Sequence, residues 1–368
     1  MADFRRVHKR AISNLINGIF TLFVLGLSGL AFITLTYLMR PVGNARKNWC
    51  GMYAEAKNSL DVVYFGSSAA YYGWEPLRGF YERGFTSYNI GTDALQAQCF
   101  EYEVREVLKT QTPKLLMIEM RPFIYGCEYS EVDGQINIER SAPFRNVSDN
   151  MKLSLNRWQF IHNVAPSGEP EWTYQFDLSK YHTLLSELVN SENWKCILNQ
   201  KHLYSKGFFY HNEARYMELN MPEGEIVSEP IDERVDEYLT GLLEYLSSVC
   251  PDKDIRVCFV LMPYGRYDSE SSYAQYIKER VSDYGFDTFI CMDHLEEIGL
   301  DSNADFRDPE HLNLNGANKF SSYFAQYLDE TYDLPDHRED DLASQWFEDY
   351  DIFIDEISKV EIIQKDYN

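Results

Sequence analysis

The chain has 368 residues, 45% of them hydrophobic and 15% aromatic, and a formal charge of −24. That composition supports a buried core and excludes disorder. Arg5, Arg6, Lys9, Arg10 and Arg40 against Asp3 leave +4 on residues 1–40 and therefore −28 on the remainder. So acidic a body repels polyphosphate, which excludes nucleic acid as a partner.

Leu15 to Met39 is a 25-residue run without a charged side chain. About 20 apolar residues span a bilayer, and the run is too long for a signal-peptide core. The basic residues before it predict a cytoplasmic N-terminus over 1–14, a transmembrane helix over 15–39 and an extracytoplasmic body. Residues 40–60 are expected to be a juxtamembrane linker.

From residue 61 the pattern alternates strand and helix. Strands are predicted at 61–65, 86–90, 114–120, 255–262 and 287–291. Helices are predicted near 94–109, 234–249, 271–284 and 315–330. In 234–249 the residues Val235, Tyr238, Leu239, Leu242, Leu243, Leu246 and Val249 recur at helical spacing behind Asp232 as N-cap. The alternation predicts an α/β fold, a parallel sheet with helices on both faces.

Residues 124–231 interrupt it as a large, mostly helical insertion. They are rich in aromatics and histidines, among them Trp158, His162, Trp172, Tyr174, Trp194, Phe208 and His211. These are expected to form the core of a cap over the strand ends, a sugar-stacking wall being the alternative. Residues 332–368 hold twelve Asp/Glu against three Lys/Arg and are expected to be an acidic tail with a terminal helix packed on the body.

The seven cysteines, Cys50, Cys99, Cys127, Cys196, Cys250, Cys258 and Cys291, are odd in number and dispersed, so neither a disulfide framework nor a zinc site is expected. Gly-x-x-x-x-Gly-Lys and His-Glu-x-x-His are both absent from the sequence, and no metal or cofactor is expected.

Two stretches carry chemistry. In Asp61-Val-Val-Tyr-Phe-Gly-Ser-Ser68 an apolar strand ends on Gly66-Ser67-Ser68 and a helix follows. A serine on such a turn has an exposed hydroxyl, and its N–H belongs to the first helical turn, which lacks intrahelical acceptors. The second stretch, Asp308-Pro-Glu-His311, places a carboxylate three residues before a histidine, the base and orienter that a serine nucleophile needs. The alternative is that Asp308 caps a helix opening at Pro309. Asp305 is a less favoured orienter, and His162, His182, His202, His211 and His294 are expected to be structural or surface residues. Chain order alone puts Ser68, Gly91 and Arg121 directly after strands, hence on one edge of the sheet, where such folds bind ligands.

Together these stretches resemble the SGNH/GDSL hydrolase superfamily. Gly66-Ser67-Ser68 stands where the family has Gly-Asp-Ser, making Ser68 the nucleophile. Tyr88-Asn-Ile-Gly91 matches the block whose glycine N–H serves the oxyanion hole. Asp308 and His311, followed by Leu-Asn-x-x-Gly-like residues, match the last block. The third block, Gly-x-Asn-Asp, is replaced by Met117-Ile-Glu-Met-Arg-Pro-Phe123, so Arg121 is the candidate for the missing donor. The resemblance covers about 61–123 and 255–330, within a domain over 61–331. With the membrane segment it looks most like the surface-polymer acylation branch, which includes the D-alanyl-transfer and alginate-acetylation proteins. It implies an esterase or acyltransferase acting on O-acyl groups of a cell-surface polymer, working beside a multi-pass membrane O-acyltransferase. A non-catalytic glycan-binding or scaffold protein on the same fold is the alternative.

Overall fold

The computed structural model describes residues 2–126, 137–219, 226–263 and 268–365; Cys127 lies outside them. The chain opens with helix α1 (Ala2–Leu38), of which Ile12–Leu38 is long and apolar enough to cross a membrane. Helix α2 (Asn44–Ala54) follows. Residues 40–60 are thus no linker: Trp49, Cys50 and Met52 of α2 are buried, and the apolar spacing is too short to stand out beside the neighbouring membrane run.

The sheet then begins: β1 (Val62–Gly66), α3 (Ser68–Gly73), α4 (Pro76–Arg83), β2 (Ser87–Gly91), α5 (Phe100–Val107), β3 (Leu115–Glu119) and α6 (Arg121–Tyr125). The insertion contributes α7 (Ser141–Ser148), α8 (Leu155–Val164), α9 (Glu171–Gln175), α10 (Leu178–Tyr181), α11 (Ser191–Ile197) and the short β4 (Glu213–Ala214). The alternation resumes with α12 (Glu233–Val249), β5 (Arg256–Leu261), α13 (Asp268–Asp283), β6 (Asp287–Ile290) and α14 (Leu295–Ile298). A two-residue turn joins β7 (Phe306–Asp308) to β8 (His311–Leu312), ahead of α15 (Leu314–Tyr332), α16 (Ala343–Ile357) and β9 (Ile363–Gln364).

The main sheet is fully parallel in the order β2-β1-β3-β5-β6. The chain reverses direction of travel between β1 and β3, the crevice where doubly wound sheets bind ligands. Both faces are covered, so β1, β2 and β3 are buried throughout rather than alternating. Val63, Phe65, Leu116, Ile118 and Phe259 face one apolar layer, with α2, α5 and α12. Val62, Tyr64, Met117, Cys258 and Val260 face the other, with α3 and α15. The Asp232 carboxylate caps α12 by accepting from the N–H groups of Arg234 and Val235. The acidic C-terminal region folds onto the body: Trp346 of α16 meets Phe80, and Tyr350 stacks on Tyr81.

The insertion departs from expectation in two ways. Its aromatics divide: Phe160, Tyr174 and Phe208 are buried, whereas Trp158, Trp172 and Trp194 are exposed by 48%, 58% and 44%. Cys50 and Cys196 also form a disulfide across a separation of 146 residues, a pairing that dispersed spacing cannot reveal.

Candidate active site

The Gly-Ser-Ser turn splits its two serines between structure and chemistry. Ser67 is the N-cap of α3: its hydroxyl accepts from the Ala69 N–H, and its own N–H is donated to the buried Glu119 carboxyl at the end of β3. Burial raises the Glu119 pKa, against the lowering by the Ser67 hydrogen bond and the Arg121 charge. The turn tolerates no side chain at its glycine. A Cβ at Gly66 would fall 2.5 Å from the Ala70 methyl and 2.6 Å from Glu119 Oε2. Ser68 is consequently the first residue of α3, and its Oγ lies 2.7 Å from His311 Nε2.

His311 Nδ1 lies 2.7 Å from Asp308 Oδ1, and the same oxygen accepts the Glu310 N–H at 2.9 Å. Asp308 does not cap a helix. It ends β7, His311 opens β8, and Pro309-Glu310 make the turn that brings the two side chains together; Asn313 caps α15 instead. Burial works to raise the Asp308 pKa, but the hydrogen bond and charge of His311, the Glu310 N–H and Arg307 outweigh it and hold it below the ordinary value. An ionised Asp308 accepts a hydrogen bond from the Nδ1–H, which leaves Nε2 as the acceptor for the Ser68 hydroxyl.

Ser68, His311, Arg121 and Glu310 line one cavity of about 220 Å³, with Ser67, Ala94, Tyr125, Asn137, Arg140 and Pro143. Arg121 is buried, and its Nη2 lies 3.0 Å from Glu310 Oε1 and 3.6 Å from Glu270 Oε1. Gly91 is not among the lining residues. It ends β2 behind the nucleophile turn, where a Cβ would meet Tyr71 at 2.7 Å and the Ser67 carbonyl oxygen at 3.3 Å. Ala94, three residues on and at φ 50°, reaches the cavity in its place. Asp305 lies apart, bonded to Lys319 Nζ and the Asp301 N–H.

One histidine read as peripheral stands beside the triad. The His211 ring is 6.1 Å from that of His311 and 3.8 Å from Tyr72, which meets His311 edge-on at 5.6 Å. Burial, Arg307 and His311 pull His211 down to about 4. Neutral at ordinary pH, its Nε2 accepts from Arg307 Nη1 at 3.0 Å. No sequence signal pointed to it, because it arrives from the insertion. Glu119 lies in the stretch that replaces the third block, where the sequence points to Arg121 alone as serving the site.

No family model matches this chain, and no curated protein matches it.

Proposed function

We propose that the protein is a membrane-anchored, extracytoplasmic serine esterase or acyltransferase of SGNH type. Its substrates would be O-acyl groups, acetyl or D-alanyl, of a cell-surface polysaccharide or teichoic-acid-like polymer. The observation that carries this reading is the continuous chain Ser68 Oγ–His311 Nε2 (2.7 Å) and His311 Nδ1–Asp308 Oδ1 (2.7 Å) at the edge of a cavity.

Ser68 Oγ attacks the acyl carbonyl as His311 takes its proton, and Asp308 stabilises the imidazolium that results. The tetrahedral oxyanion faces the Ser68 N–H at the start of α3, with Arg121 as the charged donor beside it. Collapse expels the alcohol, which leaves with the proton from His311. A second hydroxyl then attacks acyl-Ser68, its proton passing to His311, and the acyl–Oγ bond breaks as His311 returns that proton to Ser68. Water as that nucleophile makes the protein an esterase; a polymer hydroxyl makes it a transferase.

The apolar α1 supports membrane attachment. The Cys50–Cys196 disulfide supports an oxidising, outer compartment for the body. A multi-pass O-acyltransferase that exports the acyl group is the partner this arrangement suits.

The test is covalent labelling of the full chain in detergent with a fluorophosphonate probe. Wild type and Ser67→Ala are expected to label, and Ser68→Ala and His311→Ala to remain dark. The double variant should be no worse than either, since the pair acts as a unit. Wild-type protein that is folded and unlabelled would overturn the catalytic reading.

A further inference from the structure

Exposure along α1 ends at a telling place. Every residue from Ile12 to Ile33 is exposed, and burial begins at Thr36. At 1.5 Å per residue those 22 positions span about 33 Å, against about 30 Å for a bilayer's hydrocarbon core. The protein body therefore begins where the lipid tails end. Helices α9 to α11 and the segment before α8 pack there: Phe176 meets Phe32 with ring centroids 6.3 Å apart, the Leu153 N–H donates to the Tyr37 hydroxyl, and Asn193 donates to the Leu38 and Arg40 carbonyls.

Around that junction the surface is apolar. Phe176, Leu185, Val189, Trp194 and Leu198 are exposed beside α1; Trp158 and Trp172 are exposed as well, their carbonyls accepting from Gln175 Nε2 and the Phe176 N–H. Exposed tryptophans next to a membrane helix match the headgroup level, where an apolar ring with a polar edge is stable. Two cavities lie at the same level and share Arg46. One, about 360 Å³, is bordered by Ile33, Tyr37, Leu153 and Ile197. The other, about 280 Å³, is bordered by Arg40, Arg46, Arg145 and Lys180, with Asp149 as its carboxylate.

The cationic cavity is not neutralised from within. Asp177 pairs with Arg40, Asp149 with Arg145, and Glu169 serves both Arg145 and Lys180, so three carboxylates face four cations. Among the described residues Arg46 donates to neutral acceptors, the Tyr37 carbonyl and Asn193. Burial and the like charge of Arg40 pull it down to about 9. Arg40 is almost wholly buried, yet both its terminal nitrogens lack a hydrogen-bond partner among the described residues. Unused buried donors on Arg40, beside an Arg46 with no carboxylate partner among the described residues, call for an anion.

We propose that the foot of α1 and helices α8–α11 form a binding site for an anionic phospholipid. Its phosphate enters the cavity of Arg40, Arg46, Arg145 and Lys180, its chains lie along the apolar cavity, and Trp158, Trp172 and Trp194 seat the surrounding surface in the interface. The inference rests on α1 spanning a membrane and is independent of catalysis at Ser68.

The full chain in nanodiscs tests it. Phosphatidylcholine with a nitroxide at acyl carbon 5 should quench tryptophan emission more than a label at carbon 12. The triple variant Trp158→Phe, Trp172→Phe, Trp194→Phe, which removes half of the six tryptophans, should abolish that difference. In detergent, wild type should retain phosphatidylglycerol over phosphatidylcholine. Arg46→Gln with Lys180→Gln should reduce that retention about tenfold or more, the scale of two cations at an anionic surface, with fluorophosphonate labelling kept. Quenching unchanged in the triple variant, or retention indifferent to headgroup or to the two cations, would overturn the proposal. Displacement of the lipid by millimolar inorganic phosphate would reassign the cavity to a free anion and overturn it equally.

Discussion

The sheet edge that carries Ser68 and the helical insertion are built on opposite principles. Ser68, Arg121 and Glu119 stand at the ends of β1 and β3, two central strands buried on both faces, and His311 is delivered by a two-residue turn at the head of α15. Such a site inherits the precision of the sheet. Helices α8–α11 are ten residues or shorter and carry exposed Trp158, Trp172, Trp194 and Phe176. They take their position from the foot of α1, the Cys50–Cys196 disulfide and buried ion pairs such as Arg40–Asp177. Among the described residues, Tyr125, Asn137, Arg140 and Pro143 from the start of the insertion line the Ser68 cavity, and His211 near its end stands beside His311. A mutation in the first region should therefore register in chemistry, and one in the second in stability and lipid contact.

The largest separation should come from Asp308→Asn. The variant preserves size but loses the charge that fixes the His311 tautomer, so turnover or labelling rate should fall about 10²–10⁴-fold. Its melting temperature should stay near that of wild type, because Asp308 is part-exposed. A variant that unfolds with no specific loss of rate would place Asp308 among the structural residues.

The contrast also explains what could be read from the chain. Strands β1, β3 and β5 are visible because each is a short apolar run closed by turn residues, and the order of strands puts Ser68 and Arg121 on one edge. Asp308 and His311 are visible because they are three residues apart. Gly91 follows its strand as expected, yet chain order cannot tell that Ala94 at positive φ, rather than Gly91, lines the cavity. His211 reaches the triad from 100 residues upstream, and Cys50 finds Cys196 across 146. Both depend on how the insertion returns to the body, and short helices without long periodicity hold no record of that path. The buried α2 was obscured for a similar reason: 11 residues with a weak apolar face look like a linker beside a membrane run.

Breaking the disulfide should invert the Asp308 result. Cys50→Ser with Cys196→Ser releases α2 from α11 and is expected to cost about 2–4 kcal/mol of stability. Calorimetry should show melting lowered by several degrees, with the rate of Ser68 labelling at 20 °C unchanged. Loss of labelling without loss of stability would mean that the two regions are coupled. Arg121→Lys should act on the chemical side again. Lysine keeps the charge facing Glu310 and Glu270 but not the planar fork, so turnover should drop about 10–100-fold. Unaltered turnover with a lowered melting temperature would assign Arg121 to holding those two glutamates.

The smallest effect belongs to a third place, the far end of the sheet, where His337 joins the C-terminal region to the start of β1. Its Nε2 lies 3.0 Å from Asp61 Oδ2 and its Nδ1 2.6 Å from Asp340 Oδ2. Burial works to lower its pKa, but the hydrogen bonds and charges of Asp340 and Asp61 more than offset this and raise it above its ordinary value. A histidine that binds its proton more tightly when folded stabilises the protein fully below its unfolded pKa of about 6.5. That contribution is lost as pH rises through the folded value. The melting-temperature gap between wild type and His337→Gln should accordingly be widest near pH 5.5, on the order of 1–2 °C, and should close by about pH 9. The pH profile of Ser68 labelling should be the same in both proteins, because His337 is at the strand ends opposite the triad. A gap that stays constant or widens with pH would show that His337 acts through packing and not through its charge.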